Sequence, residues 1–479
     1  MNYKMIRYIL GWVMIFEGSF FLLPCLVAGL YRESEVWIFL GCAIGCAAAG
    51  KLLSWKKPED GLFYAREGFV VVAASWIILS AVGALPFWIS REIPSYVDAL
   101  FETVSGFTTT GASILSDVEA LSHGMLFWRS FTHWIGGMGV LVFILAILPM
   151  AGGQTMHLMR AESPGPSVGK LVPRLQKTAF ILYAIYFAMT LLELIILIIA
   201  KMPLFDALCL TVGTAGTGGF AIKGDSVAGY TAIQQTIITI FMFLFGVNFN
   251  AYYLILMKRW RDCFKIEEVR WYFLLFVGSV FLITLNLTDS LEQLWYNVHH
   301  AAFTVSSVMT TTGYGTVDFD KWPEFSRALI VILMFVGACA GSTGGGIKVS
   351  RFVIYFKSVG KELYHLIHPR SVKVLKMDGK VIEHDTIRSV NIFMIVYILI
   401  FALSTLLVSL DNEDLVTCFT SVAATFNNIG PGLGKAGPTG NFGFFSDRSK
   451  FVLMFDMLAG RLEIFPMLVL FFPSTWKKY

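Results

Sequence analysis

The sequence predicts an all-α polytopic membrane protein, in which four helix–pore loop–helix (M1-P-M2) repeats with pseudo-four-fold symmetry follow an N-terminal two-helix hairpin. Three observations indicate this class. Of the 479 residues, 56% are apolar or aromatic and only 15% are charged, against about 25% charged in a soluble protein. Apolar runs of about twenty residues recur along the chain, and glycine-containing loops recur between them. This composition argues against a secreted domain, a nucleic-acid-binding protein or a soluble enzyme.

Ten apolar runs are long enough to cross a bilayer as helices at a rise of about 1.5 Å per residue. Four further runs are too short to cross about 30 Å of hydrocarbon, so we expect them to be re-entrant. The predicted spans are 8–30, 36–53, 68–90, 125–149, 178–200, 231–257, 271–288, 326–357, 389–410 and 450–472. The predicted short helices are 97–109, 204–216, 294–309 and 414–427.

The placement of basic residues predicts that both termini are cytoplasmic. With that orientation, 26 of the 37 lysines and arginines fall in cytoplasmic segments, nine fall in outer segments and two fall within spans. An excess of Lys and Arg on the cytoplasmic side is the normal bias of a multi-pass membrane protein. The seven cysteines are scattered through apolar segments and predict neither a disulfide framework nor a zinc site.

After an N-terminal helical pair (1–66), one unit of long helix, short helix, glycine loop and long helix occurs four times. The loops centre on glycines separated by 108, 94 and 117 residues, namely Gly111, Gly219, Gly313 and Gly430. This spacing fits two spans and a pore loop. The predicted units are 67–155, 156–262, 263–370 and 371–479, with the cytoplasmic basic segment 358–388 between the third and the fourth.

Four irregular loops at membrane depth predict a shared central cavity, because unpaired backbone groups are tolerated there only inside protein or beside water. Glycine permits the positive φ that turns carbonyl groups inward, and the negative C-terminal ends of the short helices favour a cation. No acidic side chain lies in the loops. Neutral carbonyl oxygens suit potassium better than calcium, so the loops predict a potassium filter.

We expect K⁺ to bind at nine filter positions, with no cofactor and no other metal in this chain. These positions are Thr110, Gly111, Gly218, Gly219, Thr312, Gly313, Asn428, Ile429 and Gly430. A single glycine in a span often serves close helix packing instead, and this is our interpretation of Gly136, Gly137 and Gly139. Four glycines at equivalent positions of the four repeats favour a filter over close helix packing.

Arg461 lies about 16 Å into its predicted helix, close to the bilayer midplane. A charge at that depth normally faces a partner or an aqueous path. One interpretation is a buried ion pair with Glu17 or another distant carboxylate, since Glu463 is two positions away and on another side of the helix. The other is an electrostatic barrier below the filter, and this is the prediction.

The segment 341–346 reads Gly341, Ser342, Thr343, Gly344, Gly345 and Gly346 in the middle of the predicted helix 326–357. Each glycine disfavours a helix by about 1 kcal/mol, so the segment should unwind. A plain kink is one interpretation. The prediction is an intramembrane gating loop across the pore, tied to the cytoplasm through Lys348 and Arg351.

Other polar features have simpler interpretations. The basic segment 358–388 contains a hairpin-turn signal at Asp378 and is either a solvated loop or a docking surface. The pair His299 and His300 has no acidic or thiol group at ligand spacing and is interpreted as core or interface. Arg129 lies near the outer end of its helix, where it can either snorkel or pair with Glu102, and we expect a structural role.

Two other classes of protein were weighed. A secondary transporter with inverted repeats is disfavoured, because consecutive units here have the same topology. An intramembrane enzyme needs a Ser/His, HExxH or paired-carboxylate set within the spans, and none is found. We therefore predict no enzymatic activity and no catalytic residue.

At the loops the chain resembles the Trk/Ktr/HKT superfamily of potassium transporters, and in particular its TrkH branch, which has an additional N-terminal helical pair. The matching stretches are 109–112, 134–139, 248–249, 312–315, 341–346, 428–432 and 460–463. The resemblance implies potassium uptake across the bacterial inner membrane and one pore per subunit. It also implies a homodimer in the bilayer, and a cytoplasmic TrkA-like ring that binds NAD(H) or adenine nucleotides. No nucleic acid is implied as a partner.

The four loops are not identical. The third contains the Gly-Tyr-Gly of potassium channels at 313–315, whereas the second has Gly-Gly-Phe at 218–220 and the fourth has Ile-Gly-Pro at 429–431. We therefore expect looser selectivity than in a channel with four identical loops.

Overall fold

The computed structural model describes residues 1–56, 58, 64–139, 175–288 and 290–477, and these residues are predominantly helical. Six described helices are long and apolar enough to cross a membrane, or seven if a pair bent by 92° is one span. This confirms the all-α polytopic class. The end of the predicted helix 125–149 and the start of the predicted unit 156–262 lie outside the described residues.

The first half of the chain contains the N-terminal helices and two of the predicted units. The N-terminal helices are α1 (Tyr3–Phe20), α2 (Leu22–Tyr31) and α3 (Val36–Leu53). The next group is α4 (Ala65–Gly83), α5 (Leu85–Ser90), α6 (Tyr96–Phe107) and α7 (His123–Met138). The third group is α8 (Leu175–Ile199), α9 (Leu204–Gly216), α10 (Ala232–Phe245), α11 (Phe249–Leu256) and the short α12 (Trp260–Cys263).

The second half repeats the arrangement and adds a small hairpin. Its first group is α13 (Glu267–Leu287), α14 (Leu294–Met309), α15 (Glu324–Phe335) and α16 (Val349–Ile367). The antiparallel strands β1 (Lys376–Met377) and β2 (Lys380–Val381) follow, joined by the predicted turn at Asp378. The last group is α17 (His384–Val408), α18 (Leu415–Phe426), α19 (Asp447–Arg461) and α20 (Phe465–Phe471).

The four predicted short helices are present as α6, α9, α14 and α18, with ends within two residues of the prediction. Polar side chains fix several helix starts. Ser95, Thr231, Asp414 and Ser446 each precede a helix and accept the N–H of the residue three positions later. Such a cap satisfies one of the amides that the first turn leaves free.

Two predicted spans are wrong as continuous helices, and a third is interrupted over a longer stretch than predicted. The span 231–257 bends by 92° between α10 and α11, where Asn248 caps the new helix. The span 326–357 leaves helical geometry between Phe335 and Val349, a longer interruption than the predicted one. The span 450–472 ends at Arg461 and restarts at Phe465, with positive φ at two residues between them.

Two of these interruptions satisfy each other's backbone groups. Cys339 N donates to Gly246 O at 3.0 Å, and Phe249 N donates to Gly341 O at 3.0 Å. Thr343 also donates through its backbone N and its hydroxyl to Phe245 O, at 3.4 and 3.2 Å. Amide groups freed from one helix thus find partners in the other, which is the condition for irregular backbone at membrane depth.

The N-terminal helices pack tightly on each other and on the first pore unit. A methyl group added at Gly50 would lie 2.5 Å from Gly11 O, so α1 and α3 approach backbone to backbone. Glu33 follows α2 and accepts the N–H groups of His123 and Gly124 at 2.7 and 2.9 Å. Its carboxylate therefore caps the positive end of α7.

Candidate filter and gate

The four glycine loops share one backbone conformation. In each, a residue with positive φ follows the short helix, and a glycine with positive φ stands two positions later. Between them, the middle residue donates its N–H to a carbonyl five residues back, at 2.8 to 2.9 Å. The paired positions are Thr109 and Gly111, Thr217 and Gly219, Thr311 and Gly313, and Asn428 and Gly430. This is the hydrogen-bond pattern of a helix ending in a left-handed turn, and it turns each chain sharply at the same point.

These loops meet in cyclic order along the sequence. A methyl group added at Gly111 would lie 2.1 Å from Gly218 O, and one at Gly219 would lie 1.8 Å from Thr312 O. A methyl group added at Gly313 would lie 2.1 Å from Ile429 O, and one at Gly430 would lie 2.8 Å from Thr110 O. Each loop therefore contacts the next, and the fourth contacts the first. Eight of the nine predicted filter residues take part in these contacts, and the ninth, Asn428, donates its Nδ2 to Thr110 Oγ1 at 3.0 Å.

The closed ring leaves no space for a side chain at its glycines. Its backbone carbonyls come from residues as different as threonine, glycine and isoleucine, so side-chain identity does not determine the turn. Tyr314 in the third loop is 1% exposed and donates to Leu210 O at 3.2 Å. It therefore braces the third loop against the short helix of the second unit rather than facing the ring.

His133 on α7 links the first two loops and was missed by the sequence analysis. It is fully buried, with Nδ1 2.7 Å from Gly106 O and Nε2 3.2 Å from Phe220 N. Because a carbonyl only accepts and an amide only donates, Nδ1 carries the proton and Nε2 accepts. Gly218 lies directly against the imidazole of His133, because a methyl group added at Gly218 would be 2.1 Å from His133 Cγ. A histidine within an apolar span was the signal available in the sequence.

Arg129 pairs with Glu102, which is one of the two arrangements expected from the sequence. Its Nε lies 2.5 Å from Glu102 Oε1, and both side chains are buried. The guanidinium also donates to Ala221 O at 2.7 Å and lies 3.6 Å from the ring centre of Phe220. The pair thus joins the first short helix to the segment after the second loop, a structural role that supports the ring.

The segment 341–346 lies directly against the third and fourth loops. Gly345 N donates to Thr311 Oγ1 at 2.6 Å, and a methyl group added at Gly345 would lie 2.7 Å from Asn427 O. Helical geometry is absent from Val336 to Lys348, so the plain-kink interpretation is wrong. Positive φ at Gly341 and Gly346 marks the two ends of the segment.

Arg461 binds backbone carbonyl groups of the segment 341–346 and of α7. Its guanidinium donates to Thr343 O at 2.8 Å, to Gly136 O at 2.6 Å and to Gly137 O at 2.7 Å. It therefore bridges the gating segment and the end of α7. The alternative ion pair with Glu17 is wrong, because both carboxyl oxygens of Glu17 are buried without a hydrogen-bond partner among the described residues.

Two other charged groups flank this position. Lys348 is buried and donates to Gly344 O and, at 3.1 Å, to Gly345 O. Glu463 pairs with Arg351, with 2.5 Å between Oε2 and Nη2. Lys348, Arg461 and Glu463 line one cavity with the glycines of 341–346. Its free volume of about 70 Å³ admits a few water molecules.

The two adjacent histidines of α14 have structural partners. His299 Nε2 lies 2.8 Å from Gln235 Oε1, and His300 Nδ1 lies 2.9 Å from Thr316 Oγ1. The described residues contain no group of three or more His, Cys, Asp or Glu that could hold a metal ion. The interpretation of this pair as core or interface is in line with these contacts.

Comparison with known proteins decides the family. A sequence model of the TrkH family, described as a cation transport protein, matches residues 37–478. The chain belongs to the TrkH family. This family consists of cation transport proteins, so the prediction of a membrane transport protein rather than an enzyme is confirmed. The predicted similarity to the TrkH branch is confirmed as well.

Individual relatives cover the full chain. The Trk system potassium uptake proteins TrkH of Salmonella typhimurium and of Escherichia coli K12 are each 37% identical over 496 residues, 100% of both chains. The TrkG protein of E. coli K12 is 32% identical and covers 99% of both. The crystal structure of the potassium transporter TrkH from Vibrio parahaemolyticus superimposes with a TM-score of 0.89, at 31% identity and full coverage.

Proposed function

We propose that this chain takes up potassium through the ring formed by its four glycine loops. The observation that carries the proposal is the cyclic contact of Gly111, Gly219, Gly313 and Gly430 with carbonyl oxygens of the neighbouring loops. Carbonyl oxygens replace the water shell of an alkali cation as it enters a filter. The relatives that are named potassium uptake proteins support the choice of ion.

The ring favours a monovalent cation over an anion or a divalent cation. Four short helices, α6, α9, α14 and α18, end at the ring, and each adds the partial negative charge of its C-terminus. Calcium sites use carboxylate ligands, and none of the four loops contains one. Because the loops differ in sequence, we propose weaker discrimination against sodium than in a channel with four identical loops.

The gate in this proposal is the segment 341–346 together with Arg461. The segment touches the third and fourth loops through Gly345, and Arg461 ties Thr343 to the end of α7. In this closed arrangement, a guanidinium and the Lys348 ammonium stand beside the cavity below the ring. Glu463 lines the same cavity but is paired with Arg351, so the two remaining cations repel a potassium ion. Opening moves the segment and removes that barrier.

The remaining proposals concern orientation and partners. Both termini are cytoplasmic in the bacterial inner membrane, as the distribution of basic residues predicts. The subunit forms a homodimer, and its basic segment 358–388 docks a cytoplasmic TrkA-like ring that binds NAD(H) or adenine nucleotides. Within that segment, Asp378 accepts the N–H of Glu267 at 2.7 Å, and Lys357, which directly precedes the segment, contacts Glu267 at 2.6 Å. The docking surface is thereby attached to the start of α13.

Uptake of radioactive rubidium by liposomes containing the purified protein tests the function. We expect rubidium uptake that potassium inhibits strongly and sodium inhibits weakly. Imposing or omitting a proton gradient in the same assay separates channel-like flux from proton-coupled flux. If neither the unaltered protein nor a variant lacking the gating segment 341–346 takes up rubidium, the proposal is contradicted.

A further inference from the structure

Glu268, in the first turn of α13, is a buried carboxylate that belongs neither to the ring nor to the gate. Its side chain is 3% exposed. A buried carboxylate is costly unless it is hydrogen-bonded. Its Oε1 accepts two backbone amides, from Ala340 at 2.7 Å and from Ser350 at 3.0 Å. The two donors are ten residues apart in the sequence and meet at one oxygen atom.

These two amides lie on either side of the gating segment. Ala340 directly precedes the segment 341–346, and Ser350 lies in the first turn of α16, just after it. The positive-φ residues Gly341 and Gly346 lie between the two anchor points. Both ends of the segment are therefore held to α13, while the two residues that most easily change backbone conformation lie inside the anchors.

The start of α16 explains why a carboxylate is suited to this position. The residue before the helix, Lys348, gives no side-chain cap, because an ammonium group has no acceptor atom; it donates instead to Gly344 O and Gly345 O. Glu268 supplies the missing acceptor from another helix. Its negative charge also faces the positive end of the α16 dipole, and hydrogen bonds to a charged acceptor are stronger than neutral ones.

We propose that Glu268 is a positioning residue for the gate, which anchors both ends of the segment 341–346 so that opening pivots on Gly341 and Gly346. The inference rests on the proposed function of this segment as a gate, and adds the residue that fixes its closed position. Loss of the anchor frees the segment in the absence of any partner protein.

The test measures the position of the segment separately from ion flux. Ser342 is 7% exposed and lines the cavity, so a cysteine placed there by Ser342→Cys reports opening through its rate of reaction with a water-soluble thiol reagent. Protein without this substitution gives the background from the seven native cysteines. Each labelling experiment is paired with rubidium uptake by the same preparation.

Three variants are compared in the Ser342→Cys protein. Glu268→Ala removes the acceptor, and we expect labelling and rubidium uptake to rise about tenfold or more. Glu268→Gln keeps one acceptor oxygen without the charge, and we expect a rise of about threefold in both. Glu267→Gln changes the neighbouring carboxylate, which contacts Lys357 rather than the segment, and we expect native values. If Glu268→Ala does not fold, the test uses Glu268→Gln together with hydrogen exchange measured at the backbone amides of Ala340 and Ser350.

The outcomes separate the two proposals. Faster labelling with faster uptake supports the anchor. Labelling at the native rate in both Glu268 variants, or rapid hydrogen exchange at the two amides in the unaltered protein, overturns the role of Glu268 whatever the flux. Faster labelling with unchanged uptake shows that the segment moves without controlling flux, and this result overturns the gate itself.

Discussion

Replacing Arg461 tests the gate through a single contact. Among the described residues its guanidinium donates to three carbonyl oxygens, and one of these, Thr343 O, belongs to the gating segment. The other two, to Gly136 and Gly137, hold the side chain to α7. Arg461→Ala therefore removes one connection between the segment and the rest of the protein, together with one positive charge beside the cavity.

The size of the effect follows from that one hydrogen bond. A hydrogen bond with one charged partner stabilises a structure by about 1.5–3 kcal/mol. Loss of this amount from the closed state alone shifts the equilibrium toward the open state by about 10-fold to 150-fold. We therefore expect basal rubidium uptake to rise by at least about tenfold, provided that the closed state predominates in the unaltered protein.

The assay is rubidium uptake into liposomes that contain no partner protein. Arg461→Lys keeps a positive charge but replaces the branched guanidinium with a single ammonium, so we expect an intermediate uptake. Arg448→Ala is the matched control, because Arg448 is an exposed arginine on the same helix and should leave uptake unchanged. Uptake by Arg461→Ala equal to that of the unaltered protein would refute the reasoning.

Three further predictions concern the ring. Gly219→Ala should abolish rubidium uptake, because its methyl group would lie 1.8 Å from Thr312 O at a residue with a φ of 78°. His133→Phe keeps an aromatic side chain but loses two hydrogen bonds of about 1 kcal/mol each. Because these bonds hold Gly106 and Phe220 in place, their loss should loosen the filter, and sodium should compete with rubidium about tenfold better. Glu102→Gln leaves the buried charge of Arg129 unpaired, which should cost about 3–5 kcal/mol and lower the melting temperature in detergent.

Matched variants control these experiments. Gly278→Ala adds a methyl group in open space on α13 and should retain full uptake. Asp262→Asn breaks exposed ion pairs and should leave the melting temperature unchanged. Rubidium uptake by Gly219→Ala at the native rate, unaltered sodium competition in His133→Phe, or an unaltered melting temperature in Glu102→Gln would each contradict the corresponding step.

The loops could be predicted from the sequence because their determinants are local. A short apolar helix followed by a glycine in the same register occurs four times, and the left-handed turn it predicts is present at Gly111, Gly219, Gly313 and Gly430. The pairing of Arg129 with Glu102 could be predicted for a related reason. Two charged groups at similar depth in adjacent helices have few other partners in a membrane.

The glycines of 341–346 predicted an interruption there, but its full extent and the bend at Gly246 could not be predicted, because their determinants are distant in sequence. Nothing near Gly246 indicates that its carbonyl accepts from Cys339, or that Phe249 donates to Gly341. Each break is stabilised by the other, and the apolar run 231–257 alone predicts a straight helix. His133 and Glu268 were missed for the same reason, since their roles depend on backbone groups of other segments.

Diffraction from crystals of the protein grown with rubidium tests the central claim most directly. Anomalous scattering locates the ion without reference to flux. We expect rubidium peaks within the ring, in contact with backbone carbonyl oxygens contributed by all four loops. Peaks confined to other parts of the protein, or in contact with carboxylate groups instead of these carbonyls, would contradict it.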